Sequence, residues 1–189
     1  MSRHEIEDKR IVYTQFFCFL VAFVITIISP KTSQNFKAAD SLVMTGTVLL
    51  AIKLARDGWE IAAAGFTLIS IAWGGYFIQH DISGESGKGI LASSFYFFLP
   101  SMIMICFYQP FPWWVKLITL SSVVAPLIIL VIESSGSDAG QMRAWTGVNF
   151  KFLHFTTLCW GTFFIYPLFR KKSGRVEHRI EEMSANLLY

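Results

Sequence analysis

Six apolar stretches free of Asp, Glu, Lys and Arg dominate this 189-residue chain. Ile11–Pro30, Ile61–His80, Gly89–Val115, Leu117–Leu130 and Phe152–Phe169 are uncharged throughout, and a shorter run, Ser41–Ile52, joins them. About 20 apolar residues in a helix cross the roughly 30 Å hydrocarbon layer of a bilayer. Lipid offers no water to backbone N–H and C=O groups, so each crossing run is predicted to be helical. The period-2 alternation of an outer-membrane barrel is absent. Charged residues form 15% of the chain, against about 25% in a typical soluble domain. The predicted fold class is all-α: a polytopic membrane protein with six transmembrane helices near 11–30, 39–55, 60–79, 89–108, 113–132 and 150–169.

Charge placement predicts the orientation. An even number of spans puts both termini on one side. That side collects eleven basic residues: Arg3, Lys9, Arg10, Lys53, Arg56, Lys116, Arg170, Lys171, Lys172, Arg175 and Arg179. The other side holds five, Lys31, Lys37, Lys88, Arg143 and Lys151, and its loops also carry Asp40, Asp81, Glu85, Glu133 and Asp138. Basic residues favour cytoplasmic loops, so both termini are expected in the cytoplasm and the membrane is expected to be the cytoplasmic (inner) one. Residues 1–170 read as one six-span domain and 171–189 as a cytoplasmic basic, amphipathic tail. In that tail Val176, Ile180, Met183 and Leu187 share one helical stripe, the pattern of a surface helix. The first run reads as a retained span, because Glu5, Glu7 and Asp8 precede it and no small-residue cleavage pattern follows before Lys31.

The three cysteines, Cys18, Cys106 and Cys159, all fall within predicted spans, so no extracellular disulfide framework is expected and each reads as a packing residue. The basic residues flank membrane segments instead of forming a separate patch, which excludes nucleic acid as a partner. The bilayer itself is the first partner, and another membrane protein or a second copy of the chain the next.

Several local patterns carry structural meaning. Ser2 to Glu5 has the spacing of a helix capping box. Ala63, Thr67, Ser70 and Gly74 recur at helical spacing in the third span, a face that lets another helix approach closely. Pro100 and Pro126 each remove a backbone hydrogen bond and are predicted to kink the fourth and fifth spans. Trp59, Trp113, Trp114 and Trp145 read as interfacial anchors. Glu133–Asn149 is the longest expected outer loop. Trp73-Gly74-Gly75-Tyr76-Phe77-Ile78 is echoed by Trp160-Gly161-Thr162-Phe163-Phe164-Ile165, the pattern that a weak 3+3 inverted repeat of a transporter would leave. Chance is the competing explanation, since aromatic and glycine residues are common in membrane helices.

Candidate chemistry is sparse. His80 closes the third span and His154 enters the sixth at a comparable depth, and two imidazoles at one depth are the ligands that haem or a metal ion takes. The plainer alternative is interfacial hydrogen bonding, with His80 beside Asp81. A serine-protease reading would pair Ser93 or Ser94 with His154, but the local sequence Leu91-Ala92-Ser93-Ser94-Phe95 lacks the glycine-x-serine-glycine nucleophile motif. Gly84 to Gly89 mimics a phosphate loop, yet Ile82 and Gly89 stand where the motif needs glycine and Ser or Thr. No charged residue falls near the predicted midplane, which argues against a carboxylate relay of an ion-coupled pump. With no reaction constellation in the sequence, the leading expectation is a non-enzymatic, membrane-embedded partner or accessory subunit. A small-solute transporter or channel is the second, and a haem- or metal-binding protein using His80 and His154 the third.

Overall fold

Helix boundaries follow the local chemistry of the chain. Helix α1 (Arg3–Ile28) stops before Ser29 and Pro30, because proline disfavours a helical residue before it and donates no N–H. Thr32 then caps α2 (Ser33–Arg56), its hydroxyl accepting from the Asn35 N–H at 3.3 Å. Gly58, at φ 80°, supplies the left-handed residue that turns α2 into α3 (Glu60–Gln79). Helices α4 (Glu85–Cys106), α5 (Trp113–Ser121), α6 (Val124–Ser134) and α7 (Ala139–Asn186) complete the chain. The computed structural model describes residues 3–30, 32–82, 85–135 and 139–186, with side chains for 6–30, 32–82, 89–90, 93–132, 135 and 145–170. Ser2 of the expected capping box and the side chains of the 171–189 tail lie outside the described residues.

Five stretches are long and apolar enough to cross a membrane: Ile6–Ile28, Ser33–Arg56, Glu60–Gln79, Trp113–Ile132 and Trp145–Arg170. A sixth, Ser93–Cys106 within α4, is a shorter apolar segment. The protein is an all-α, multi-span integral membrane protein. Its outer surface agrees: Phe17, Ile28, Ile71, Tyr96, Phe107, Val131 and Tyr166 are each more than half exposed, a density of surface hydrophobes that water does not tolerate and lipid does.

The stretch Trp113–Ile132 is two helices. Pro126 has no N–H to give the Ser122 carbonyl. The chain instead tightens at this point: Ser122 Oγ donates to the Thr119 carbonyl at 2.6 Å and the Val123 N–H to the Leu120 carbonyl at 3.1 Å. Pro100 sits inside α4 and Pro167 inside α7, and both helices continue through them.

Two expectations about loops are corrected. Helix α2 begins at Ser33, so Lys37 and Asp40, read from sequence as loop charges, are helical. The expected loop Glu133–Asn149 is largely helix, because α6 reaches Ser134 and α7 starts at Ala139. Gln141 to Trp145 contain no strong helix breaker, and the packing of Asn149 and Phe150 into the core overrides Gly140 and Gly147.

The helices close a ring. Helix α2 packs between α1 and α3, α4 on α3, the α5–α6 pair between α4 and α7, and α7 returns to α1. Large side chains fill its interior, with Trp73, Trp160, Tyr76, Phe19, Phe66 and Phe98 essentially unexposed. Lipid is as apolar as these groups, so close packing and internal hydrogen bonds hold the bundle more than water exclusion does. Phe19 of α1 shows the packing: a Cβ on Gly46 of α2 would overlap its ring, and one on Gly161 of α7 would lie 3.0 Å from it. Phe66 and Trp160 meet edge to face at 5.0 Å, and Trp160 Nε1–H donates to Thr119 Oγ1 at 2.9 Å. At the end of the bundle near Gly58, Trp59 packs edge-on against Tyr108 at 5.1 Å, and Arg56 pairs with Glu7 and Asp8 at 3.5 and 3.6 Å.

On α3, Ser70 Oγ donates to the Met44 carbonyl at 3.4 Å and Gly74 faces Met44, so both look toward α2. Thr67 is exposed and bonds back to Ala63, which is buried. The close approach to α4 falls on Gly65 and Gly75, where a Cβ would collide with the Ser101 carbonyl and the Ser94 hydroxyl respectively. Trp113 is 75% exposed, and Trp114 and Trp145 less so.

Candidate ligand-binding site

The charged chemistry that the bundle buries lies at the end formed by the start of α2, the end of α3 and the 146–154 stretch of α7. The phase of α2 places Asp40 on the stripe that continues through Val43, Thr47, Leu50 and Leu54, all buried. Its side chain has no exposed surface. A lone carboxylate in such a place is costly, and it is found paired. The partner is His80, the residue that caps the end of α3: its Nε2–H donates to Asp40 Oδ2 at 2.9 Å, with His80 itself only 15% exposed. Phe36, one turn before Asp40, stacks on the imidazole at 5.5 Å and 13°. Ser33 Oγ reaches the His80 carbonyl at 3.3 Å, so the first two turns of α2 hold the α3 terminus at three points. The neighbouring charges are also matched, Lys37 pairing with Asp81 and lying 5.7 Å over the Phe77 ring.

Behind this pair runs an aromatic wall. Phe36 meets Phe150 edge-on at 5.2 Å, and Phe150 contacts His154 at 4.4 Å. His154 is wholly buried. Its Nδ1 carries the proton, since it donates to the Phe150 carbonyl at 2.8 Å and a carbonyl only accepts. The imidazole edge meets Trp73 at 4.8 Å. Asn149 Nδ2 donates to the Tyr76 hydroxyl at 2.8 Å. Four buried polar atoms here, Asp40 Oδ1, Asn149 Oδ1, His154 Nε2 and Trp73 Nε1, have no hydrogen-bond partner among the described residues. Native proteins leave few such atoms, and four in one place make this end of the bundle a candidate site. Gln15 of α1 is a further buried side chain with both amide atoms unpartnered.

A cavity of about 640 Å³ lies beside this cluster, lined by its neighbours His80, Tyr76 and Phe150 and by none of the four residues with unpartnered atoms, and is within the range of small-molecule sites. It is lined by Thr26 of α1, Phe36 of α2, Tyr76, Gln79 and His80 of α3, and Thr146, Gly147, Val148, Phe150 and Lys151 of α7. Gly147 borders open space, since a Cβ there would meet nothing within 4 Å.

The structure brings α3 and α7 together, and His80 and His154 are joined through the Phe36 and Phe150 rings. Each imidazole bonds a different group, His80 the Asp40 carboxylate and His154 a main-chain carbonyl. Among the described residues no group of three or more His, Cys, Asp or Glu is placed to hold a metal ion. Ser93 and Ser94 donate to the Gly89 and Ile90 carbonyls of their own helix at 2.8 and 2.9 Å, away from any nucleophile geometry with His154. A second, shallower groove of about 750 Å³ runs along α3 and α4, where Ser70, Gly74, Gly75, Ser93 and Ser94 line it.

Asp40, Tyr76, Asn149 and Lys151 escape the sequence reading. Asp40 carried a usable signal, its helical phase with Val43, Thr47 and Leu50, but it was counted among the loop charges. No protein-family model, curated protein or solved structure matches this chain.

Proposed function

We propose that this is a non-enzymatic membrane protein of the small-solute transporter type, taking its solute into the cavity above the Asp40–His80 pair. The observation that carries the reading is a cavity of ligand size whose wall includes one member of a buried acid–imidazole pair. Ionisable groups buried among membrane helices are retained where a solute or proton must be met. With both termini cytoplasmic, as the basic-residue asymmetry supports, the cavity faces the outside of the cytoplasmic membrane, and residues 171–189 extend as a cytoplasmic tail. The weak span-three and span-six echo accords with a transporter, though its matching glycines differ in role: Gly161 receives Phe19, while Gly74 makes only ordinary contact with Met44.

The test is a thermal-stability screen of purified protein against neutral, anionic and cationic small solutes. A solute that raises the melting temperature of the native protein but not of Gly147→Trp, which fills the cavity, supports the reading. Equal responses of the two proteins to every solute overturn it.

A second reading, a membrane-embedded accessory subunit, is favoured by the lipid-facing groove along α3 and α4. Its small side chains leave room for one transmembrane helix of a partner protein. Cysteine crosslinking from position 93 in native membranes to a defined second polypeptide would support this; a strictly monomeric product overturns it.

A further inference from the structure

The lining of the cavity sorts its possible solutes by charge. Among the described residues no carboxylate lines it. Asp40 is the nearest buried acid, but it has no exposed surface, and one of its oxygens already takes the His80 Nε2–H. The wall therefore presents the imidazole and not the acid. Lys37, the other cation of this end, is committed to Asp81. Among the described residues Lys151 is the one full positive charge that lines the cavity, and it has no ion-pair partner there. The Gln79 amide and the Thr26 hydroxyl add neutral polar groups. Around them Phe36, Tyr76, Val148 and Phe150 form an apolar, largely aromatic surface. One cation at the edge of an aromatic chamber suits a solute with one anionic head and an apolar body. The cation draws the anion, the rings cover the body, and a cationic solute would meet Lys151 with no acid to offset it.

Resting on the transporter reading, we infer that the cavity binds amphiphilic monoanions, with the anionic head on Lys151 and the apolar body against Phe36, Tyr76 and Phe150. Such a head belongs equally to a free carboxylic acid and to an anionic lipid.

The experiment uses the full chain in phosphatidylcholine nanodiscs, with 4-phenylbutyrate, its primary amide and 4-phenylbutylamine as matched probes. Binding is read by calorimetry and by tryptophan fluorescence. The acid binds and the amine does not, and the amide binds about tenfold more weakly, the loss expected when one charge-assisted contact of roughly 1.4 kcal/mol is removed. Lys151→Gln, at an exposed position, lowers affinity for the acid to that of the amide, and Lys151→Arg restores it. Repeating the titration with phosphatidylglycerol in the nanodisc separates the sources: competition assigns the site to the lipid, and unchanged affinity assigns it to the soluble acid. Both results uphold the anion class. Equal binding of acid, amide and amine, unaltered by Lys151→Gln, overturns the class while leaving solute binding intact. No binding of any probe, together with identical thermal profiles for native protein and Gly147→Trp across the solute screen, overturns both.

Discussion

Replacing His80 with phenylalanine isolates the buried acid–imidazole bond from the packing around it. The phenyl ring keeps the stack on Phe36, observed at 5.5 Å and 13°, so the aromatic contribution of about 0.5–1.5 kcal/mol is retained. What is lost is the 2.9 Å bond to Asp40 Oδ2, a hydrogen bond to a charged group, contributing roughly 1.5–3 kcal/mol. The change also leaves the second carboxylate oxygen without a partner, like Oδ1 already, at a further cost of about 1–3 kcal/mol. The total, about 2.5–6 kcal/mol, brackets the roughly 3–5 kcal/mol found when one member of a buried ion pair is removed, and that narrower range is the expected cost. In an Asp40→Leu background there is no carboxylate to strand, and His80→Phe is expected to cost less than about 1 kcal/mol. The coupling between the two sites is therefore about 2–4 kcal/mol. It is measured by a double-mutant cycle on reversible unfolding in mixed micelles, followed by tryptophan fluorescence. A coupling within about 0.5 kcal/mol of zero refutes the bond as a stabilising element of the bundle.

Four further outcomes follow from other parts of the structure. Gly65→Ala places a methyl group 2.9 Å from both the Ile105 nitrogen and the Ser101 carbonyl; these backbone atoms cannot rotate away, and the variant loses about 1–3 kcal/mol in the same unfolding assay. Gly147→Ala, with open space around it, gains up to about 1 kcal/mol from helix propensity and serves as the control. Gly58→Ala forces a side chain into φ 80° and costs about 1–2 kcal/mol. Tyr108 lies between α4 and α5, where burial first, and Asp57 second, raise its phenol above the ordinary tyrosine value. The native state thus holds this proton longer than the unfolded chain: its stabilisation is complete below pH about 10 and lost as pH climbs through the folded value. The alkaline fall in stability is expected to be shallower in Tyr108→Phe, and equal slopes in the two proteins overturn this assignment.

Hydropathy and proline placement made the crossings legible because they report local constraints. An uncharged run in lipid has one backbone solution, and Pro30 and Pro126 act on residues within one turn of themselves. The start of α2 was misplaced because Lys37 and Asp40 look like loop residues when counted singly. Their charges are tolerated in helix only because α3 ends opposite them with His80 and Asp81, contacts that span about forty positions in sequence. The stretch from Ala139 to Asn149 was read as a loop for a related reason: its helical state is supported by Asn149 bonding Tyr76 and Phe150 packing on Phe36.

By itself the sequence determined that this is an all-α membrane protein, near which residues its crossings fall, and where they break. Those are properties of single segments in an apolar solvent. The tertiary structure decided which polar atoms meet. Asp40, His80, Tyr76, Asn149 and Lys151 come from three helices, and the ring closure from α1 to α7 gathers them at one end of the bundle, where His80, Tyr76 and Lys151 line one cavity. Burial changes a carboxylate from a solvated surface charge into a group that must find a partner, and burial is a property of the assembled bundle.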